Sequence, residues 1–176
     1  MRVFIAIDMP DSVKEYLRKV QKLLPEAKML PVRDFHLTLK FIGELTPERV
    51  EKLKNLLGNV KFEKFTASTD EVGVFPSENY VRVVWIGLKP EEPIIELQQQ
   101  IEKALEGEFK QDNSFKAHLT LARVKFIGDK ERFIRELKDI KTEKISFEVD
   151  RFRLKKSTLT PEGPVYADLA LFPQPL

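Results

Sequence analysis

The chain has 176 residues, no cysteine, and a formal net charge of only +2 from 30 basic and 28 acidic side chains. The missing thiols exclude disulfides, thiolate metal sites and a cysteine nucleophile. The near-balance of charge argues against a protein that coats nucleic acid through bulk positive charge, while leaving room for a local basic groove.

With 42% hydrophobic and 33% charged residues, the length suits one domain, or one domain built from two similar lobes. The opening MRVFIAIDMP is too short an apolar run for a signal peptide or a membrane span, so a soluble cytoplasmic protein is expected.

In chain order, residues 2–8 read as a strand, and a helix follows Pro10 with Val13, Tyr16, Leu17, Val20 and Leu24 on one face. Residues 35–42 form a second strand. Thr46 and Pro47 supply an N-cap and first helical position, Val50, Leu53 and Leu57 point inward, and Gly58 ends that helix. Strand-like segments occupy 61–75. Residues 80–88 then form a strand, and Pro93 opens a helix carrying Ile94, Leu97, Ile101 and Leu105. A strand over 115–124, a helix over 129–139 with Phe133, Leu137 and Ile140, a strand over 144–156 and a final strand in GPVYADLALF complete the chain.

The order repeats itself. RVFIAIDMP at residue 2 aligns with RVVWIGLKP at residue 82, and the only two histidines, His36 and His118, lie 82 positions apart, as do the helix starts at Pro47 and Asp129. The pattern is that of an internal duplication. It predicts an α+β fold of two pseudo-symmetric lobes, each a mainly antiparallel sheet with helices on its outer face. The lobes, about residues 1–78 and 79–176, face each other across a central cleft, with elements free to exchange between them.

Both histidines are followed by Leu-Thr-Leu, in FHLTLKFIGE and KAHLTLARVK. Side chains alternate along a strand, so His36, Thr38 and Lys40 are expected on one face, with Phe35, Leu37, Leu39 and Phe41 in the core. Lys116, His118 and Thr120 repeat the arrangement. Each lobe thus offers an imidazole beside a hydroxyl. A metal centre wants three or four ligands, and no carboxylate recurs in both motifs. Serine-type acyl transfer lacks its G-x-S-x-G elbow. Phosphoryl transfer between an opposed acid and base fits better: one neutral imidazole takes a proton from the attacking oxygen, one imidazolium protonates the leaving oxygen, and the threonine hydroxyls hold non-bridging oxygens.

The paired H-x-T-x tetrapeptides, together with VFPSENYVRVVWIGL and LKKSTLTPEGPVYADLALFPQPL, resemble the two-histidine phosphoesterase superfamily, in its RNA 2′,3′-cyclic phosphodiesterase (2′-5′ RNA ligase) branch. The resemblance spans nearly the whole chain. It implies hydrolysis of RNA 2′,3′-cyclic phosphate ends to 2′-phosphates without metal, cofactor or ATP, with His36 as proton donor, His118 as proton acceptor, and Thr38 and Thr120 on the phosphate. Reverse ligation would form 2′-5′ linkages. The expected partners are RNAs with such ends, tRNA halves among them, with no membrane partner, and the chain is expected to be a monomer. Independently of the resemblance, no phosphate-binding G-x-x-x-x-G-K-[ST] loop and no K-x-D-G ligase sequence occurs.

Around the motifs, Lys40 is expected as a phosphate neighbour. Arg123, which alternation turns away from His118, matches a basic residue common after the second motif in the family, and divides evenly between a phosphate contact and a solvated charge. Arg151, Arg153, Lys155 and Lys156 fit a solvated strand face better than an RNA path. Trp85 and Phe75 fit core positions better than base-stacking ones, and Tyr166 anchors the last strand. Two other functions use the same residues: non-catalytic binding of RNA ends, and cleavage of a small cyclic nucleotide.

Overall fold

The computed structural model describes residues 1–173 and is α+β. Its elements are β1 (Arg2–Asp8), α1 (Asp11–Leu23), β2 (Lys28–Pro31), β3 (His36–Glu44), α2 (Pro47–Leu57), β4 (Phe65–Ser77), β5 (Tyr80–Lys89), α3 (Glu92–Ala104), β6 (His118–Phe126), α4 (Lys130–Lys138), β7 (Ser146–Val149), β8 (Phe152–Thr160) and β9 (Gly163–Phe172). The strands form two sheets, ordered β3-β1-β8-β9 and β2-β6-β5-β4-β7, and every pairing is antiparallel.

Local chemistry explains the helices. Thr46 caps α2 by accepting a hydrogen bond from the Arg49 N–H at 3.3 Å, with Pro47 just inside. Asp129 does the same for α4 through the Arg132 N–H at 3.0 Å. The three–four apolar spacing of α1 buries Val13, Tyr16, Leu17 and Val20, and that of α3 buries Ile94, Leu97 and Ile101. These side chains meet Leu37 and Leu39 from β3 and Leu119 and Leu121 from β6 in one continuous apolar cluster. The inward faces of the histidine strands are therefore fully buried, which leaves their other faces for the site.

Two expectations are corrected, and one strand is new. The strand over 144–156 is two strands, broken at Asp150–Arg151, and they join different sheets. The strand over 61–75 begins only at Phe65 and pairs with β5, so residues 61–64 contribute none of it. The segment Lys28–Pro31 is a strand at the edge of the His118 sheet, where a terminal proline costs no ladder bond.

The sheets do not follow the two halves of the chain. β2 and β4 join the His118 sheet, and β8 and β9 complete the His36 sheet. The repeated unit is the shorter β-α-β-α run, β1-α1-β3-α2 and β5-α3-β6-α4, in which α1 and α3 are both 13 residues long.

Each histidine strand carries a β-bulge at the same place. Ile5 pairs with Lys40 and Ala6 with Thr38, leaving Leu39 unpaired. Val84 pairs with Ala122 and Trp85 with Thr120, leaving Leu121 unpaired. A bulge adds one residue and reverses the alternation beyond it. Lys40 and Ala122 therefore turn into the protein, and Phe41 and Arg123 turn out.

Candidate active site

His36 and Thr38 sit on β3 opposite Asp8 and Ala6 of β1, and His118 and Thr120 sit on β6 opposite Gly87 and Trp85 of β5. All four are half-buried, and β3 and β6 lie against one another where the two sheets meet. The Arg123 charge acts both on His118 and on Tyr166, which packs against His36. The two histidine strands thus border one candidate site.

Each imidazole packs against two aromatic rings that also touch one another. Phe4 and Tyr166 flank His36, with ring centroids 5.1 and 4.9 Å away. Phe75 and Trp85 flank His118 at 4.8 and 6.4 Å. Phe75 and Trp85 therefore wall the site instead of joining the apolar core, and Tyr166 does more than anchor β9. Trp85 lies flat across Gly73, where a Cβ would come within 2.3 Å of the indole carbons. Only glycine leaves room for the ring there.

His118 Nδ1 lies 2.7 Å from the Lys116 carbonyl oxygen. A carbonyl only accepts, so Nδ1 carries the proton and the Nε2 lone pair is free to act as a base. Lys116 contributes through this backbone oxygen, while its side chain is exposed. His36 Nδ1 is buried with no partner among the described residues, which leaves Nε2 as the nitrogen available to a substrate.

Burial holds both imidazoles below the ordinary value of 6.5. Their charged surroundings differ. The carboxylates of Asp34 and Asp8 favour the charged form of His36, against Lys155 and Lys14. Among the described residues no carboxylate acts on His118; its bond to the Lys116 carbonyl favours the charged form and the Arg123 charge opposes it. Asp34 is held ionised below the ordinary carboxylate range: burial pushes it up, but its 2.8 Å ion pair with Lys14 outweighs this.

Lys40 is not in the site. The bulge at Leu39 turns it inward, where it is 4% exposed and donates to Glu102 Oε1 and to the Lys110 carbonyl, each at 2.7 Å. The same device reverses the expectation for Arg123, which the Leu121 bulge brings onto the His118 face. Arg153 and Lys155 are tied up by acids: Lys155 Nζ lies 2.8 Å from Asp8 and 2.9 Å from Asp168, and Arg153 pairs with the same two residues. Burial lowers the Lys155 ammonium, but these two bonds hold it above its ordinary value. Arg151 pairs with Asp150 at the surface.

Phe4 and Asp8 carry no local signal that marks them as site residues, because strand pairing alone brings them to His36; Asp168 reaches Lys155 in the same way, and Asp34 lies two residues before His36. Among the described residues, no three His, Asp or Glu side chains gather as a metal centre would require, and no helix is long and apolar enough to cross a membrane.

The comparisons agree with this architecture. A curated RNA 2′,3′-cyclic phosphodiesterase of Archaeoglobus fulgidus is 40% identical over 98% of this chain and 99% of its own length. Its namesake in Methanocaldococcus jannaschii is 35% identical over 94% and 96%. The crystal structure of a Thermus thermophilus protein superposes with a TM-score of 0.79 at 29% identity, covering 98% of this chain and 97% of that one. Escherichia coli LigT complexed with 3′-AMP gives 0.78 at 27%, covering 97% and 96%. The LigT-like phosphoesterase signature matches twice, over residues 7–85 and 86–166, so that each copy takes in one histidine. With one copy of the signature around each H-x-T-x strand, the chain belongs to the LigT-like phosphoesterase family, the two-histidine phosphoesterases.

Proposed function

We propose that this protein hydrolyses the 2′,3′-cyclic phosphate at the end of an RNA, leaving a 2′-phosphate, by acid–base catalysis between its two histidines. His118 Nε2 takes a proton from water as the water oxygen bonds to phosphorus. The bond from phosphorus to the 3′ oxygen breaks on the opposite side, and His36 Nε2 protonates that oxygen. Thr38 and Thr120 donate to the non-bridging oxygens, and Arg123 offsets their growing charge.

The observation that carries this reading is the unequal setting of two otherwise equivalent imidazoles. Burial lowers both, but the carboxylates of Asp34 and Asp8 lie by His36, whereas His118 gives its Nδ1 proton to the Lys116 carbonyl and keeps its Nε2 lone pair to accept. The names of the relatives supply the substrate class, and the departure of the 3′ oxygen follows the family resemblance. With a 5′-hydroxyl in place of water, the reverse reaction joins two RNA ends, tRNA halves among them, through a 2′-5′ bond. The ring strain of the cyclic phosphate supplies the energy, and no ATP is consumed.

The test is incubation of a short RNA bearing a 2′,3′-cyclic phosphate in EDTA without ATP, followed by phosphorus NMR of the product. A single 2′-phosphate product is expected. A 3′-phosphate would reverse the placement of acid and base relative to the ribose. Binding without turnover would leave an RNA-end binder, and preference for a cyclic mononucleotide over RNA would replace the substrate class.

A further inference from the structure

The two histidine strands are held by helices from the opposite halves of the chain. Gln21 and Glu102 are each the eleventh residue of a 13-residue helix, α1 and α3, in the two copies of the β-α-β-α unit. Each reaches away from its own half. Gln21 Nε2 donates at 2.8 Å to the carbonyl of Leu121, the bulged residue of β6, and at 2.8 Å to the carbonyl of Val32. Glu102 Oε1 accepts at 2.7 Å from Lys40, the residue that follows the bulged Leu39 of β3. Gln98 Nε2 at 3.2 Å and the Asp112 N–H at 3.2 Å hold the Glu102 carboxylate, and the Lys110 carbonyl takes a second bond from Lys40.

Resting on the hydrolase reading above, we infer that Gln21 and the Lys40–Glu102 pair are positioning residues that cross-brace the two half-sites and fix the spacing of His36 and His118. The bulges are where this control is needed. An unpaired residue in a ladder weakens the local register, and here it lies directly beyond Thr38 and Thr120, between the catalytic pair and the outward-turned Phe41 or Arg123. Tying each bulge to the partner half makes the separation of acid and base depend on interior hydrogen bonds instead of on the exposed rim. The ion pair is also more than a filler: a cation and a carboxylate are costly to bury unless hydrogen-bonded, and here Lys40 donates two bonds and the Glu102 carboxylate accepts three. In the second half Ala122 stands where Lys40 stands in the first, and a neutral amide serves the bulge there.

This inequality supplies the test. Lys40→Met leaves the Glu102 carboxylate without its cation, Gln21→Leu removes the amide brace, and Lys40→Gln with Glu102→Gln gives the first half a neutral, hydrogen-bonded brace. Because the chain has no cysteine, spin labels at Thr66→Cys in β4 and Thr158→Cys in β8, both exposed and in different sheets, read the spacing between sheets by pulsed electron resonance without any substrate. Lys40→Met and Gln21→Leu are expected to broaden that distance distribution and to lower kcat by about 10²-fold, the cost of small misplacements at a reacting centre. KM should change little, since one half-site still holds the phosphate. The double variant should narrow the distribution and recover at least about tenfold of the lost kcat, because a buried ion pair is replaceable by neutral groups of similar volume. Parent kcat in folded Lys40→Met, or a distribution as narrow as the parent's, overturns the brace. A parent protein that does not open a cyclic phosphate counts against the hydrolase reading instead, and the distance distributions still decide the brace.

Discussion

Tyr166 stands edge-on to His36, with ring centroids 4.9 Å apart and planes at 87°. Phe75 meets His118 in the same way, at 4.8 Å and 87°. Each aromatic edge walls its imidazole from water and limits its rotation. Tyr166→Phe is expected to keep activity within about twofold, whereas Tyr166→Ala should lower kcat by about tenfold, because a mobile acid is misaligned for most of its time. Burial is the main cause of the lowered His36 value, so the alanine variant should also raise that value towards 6.5. With only two histidines in the chain, an NMR titration resolves both effects.

Removing either imidazole removes a proton-transfer step. His36→Ala and His118→Ala should each reduce kcat by about 10²- to 10⁴-fold, the usual worth of a positioned acid or base, with substrate binding largely intact. Single-turnover assays with the cyclic-phosphate RNA check this, and near-parent turnover in either variant would rule out the opposed pair.

The pH dependence has two parts. The rate should follow a bell, since one imidazole works neutral and the other charged, and its two apparent values belong to the coupled pair. Stability should fall on the acid side. Both imidazoles are held below 6.5 in the folded protein, so the unfolded chain binds more protons as the pH drops from 6.5 towards the lower folded values, and stability is lost across that window. Urea midpoints measured against pH should show this slope, and His118→Gln should flatten it.

Thr38→Val and Thr120→Val keep shape and strand preference while deleting a hydroxyl. Losing one hydrogen bond to a charged phosphate should cost about 1.5–3 kcal/mol, or roughly ten- to a hundred-fold in kcat/KM. Steady-state kinetics on folded variants tests it, and unchanged values in both would reduce the threonines to strand residues.

Gly73 is where the chain makes room for its single tryptophan. Gly73→Ala places a methyl where the Trp85 ring lies, and should destabilise the protein by about 1–3 kcal/mol, as overpacking does, while moving the indole away from His118. Denaturation and the fluorescence of Trp85 report both.

Much of this protein is legible in its residue order. Three–four spacing marks all four helices, alternation marks most strands, and the repeated His-Leu-Thr-Leu marks the site, because each of these signals lies within a few neighbouring residues. Strand partnership is a different matter. Nothing near Tyr166 or Asp8 announces that β9 and β1 carry them to His36, and nothing in KMLP announces an edge strand. The bulges decided the two basic residues. Strict alternation puts Lys40 beside His36 and turns Arg123 away from His118, yet one unpaired leucine in each strand reverses both outcomes. Lys40 is instead sealed inside against Glu102, from the other half of the chain. Periodicity is a property of the backbone within one strand and is written in the sequence, whereas a bulge depends on register with a second strand and exists only once the sheet has formed.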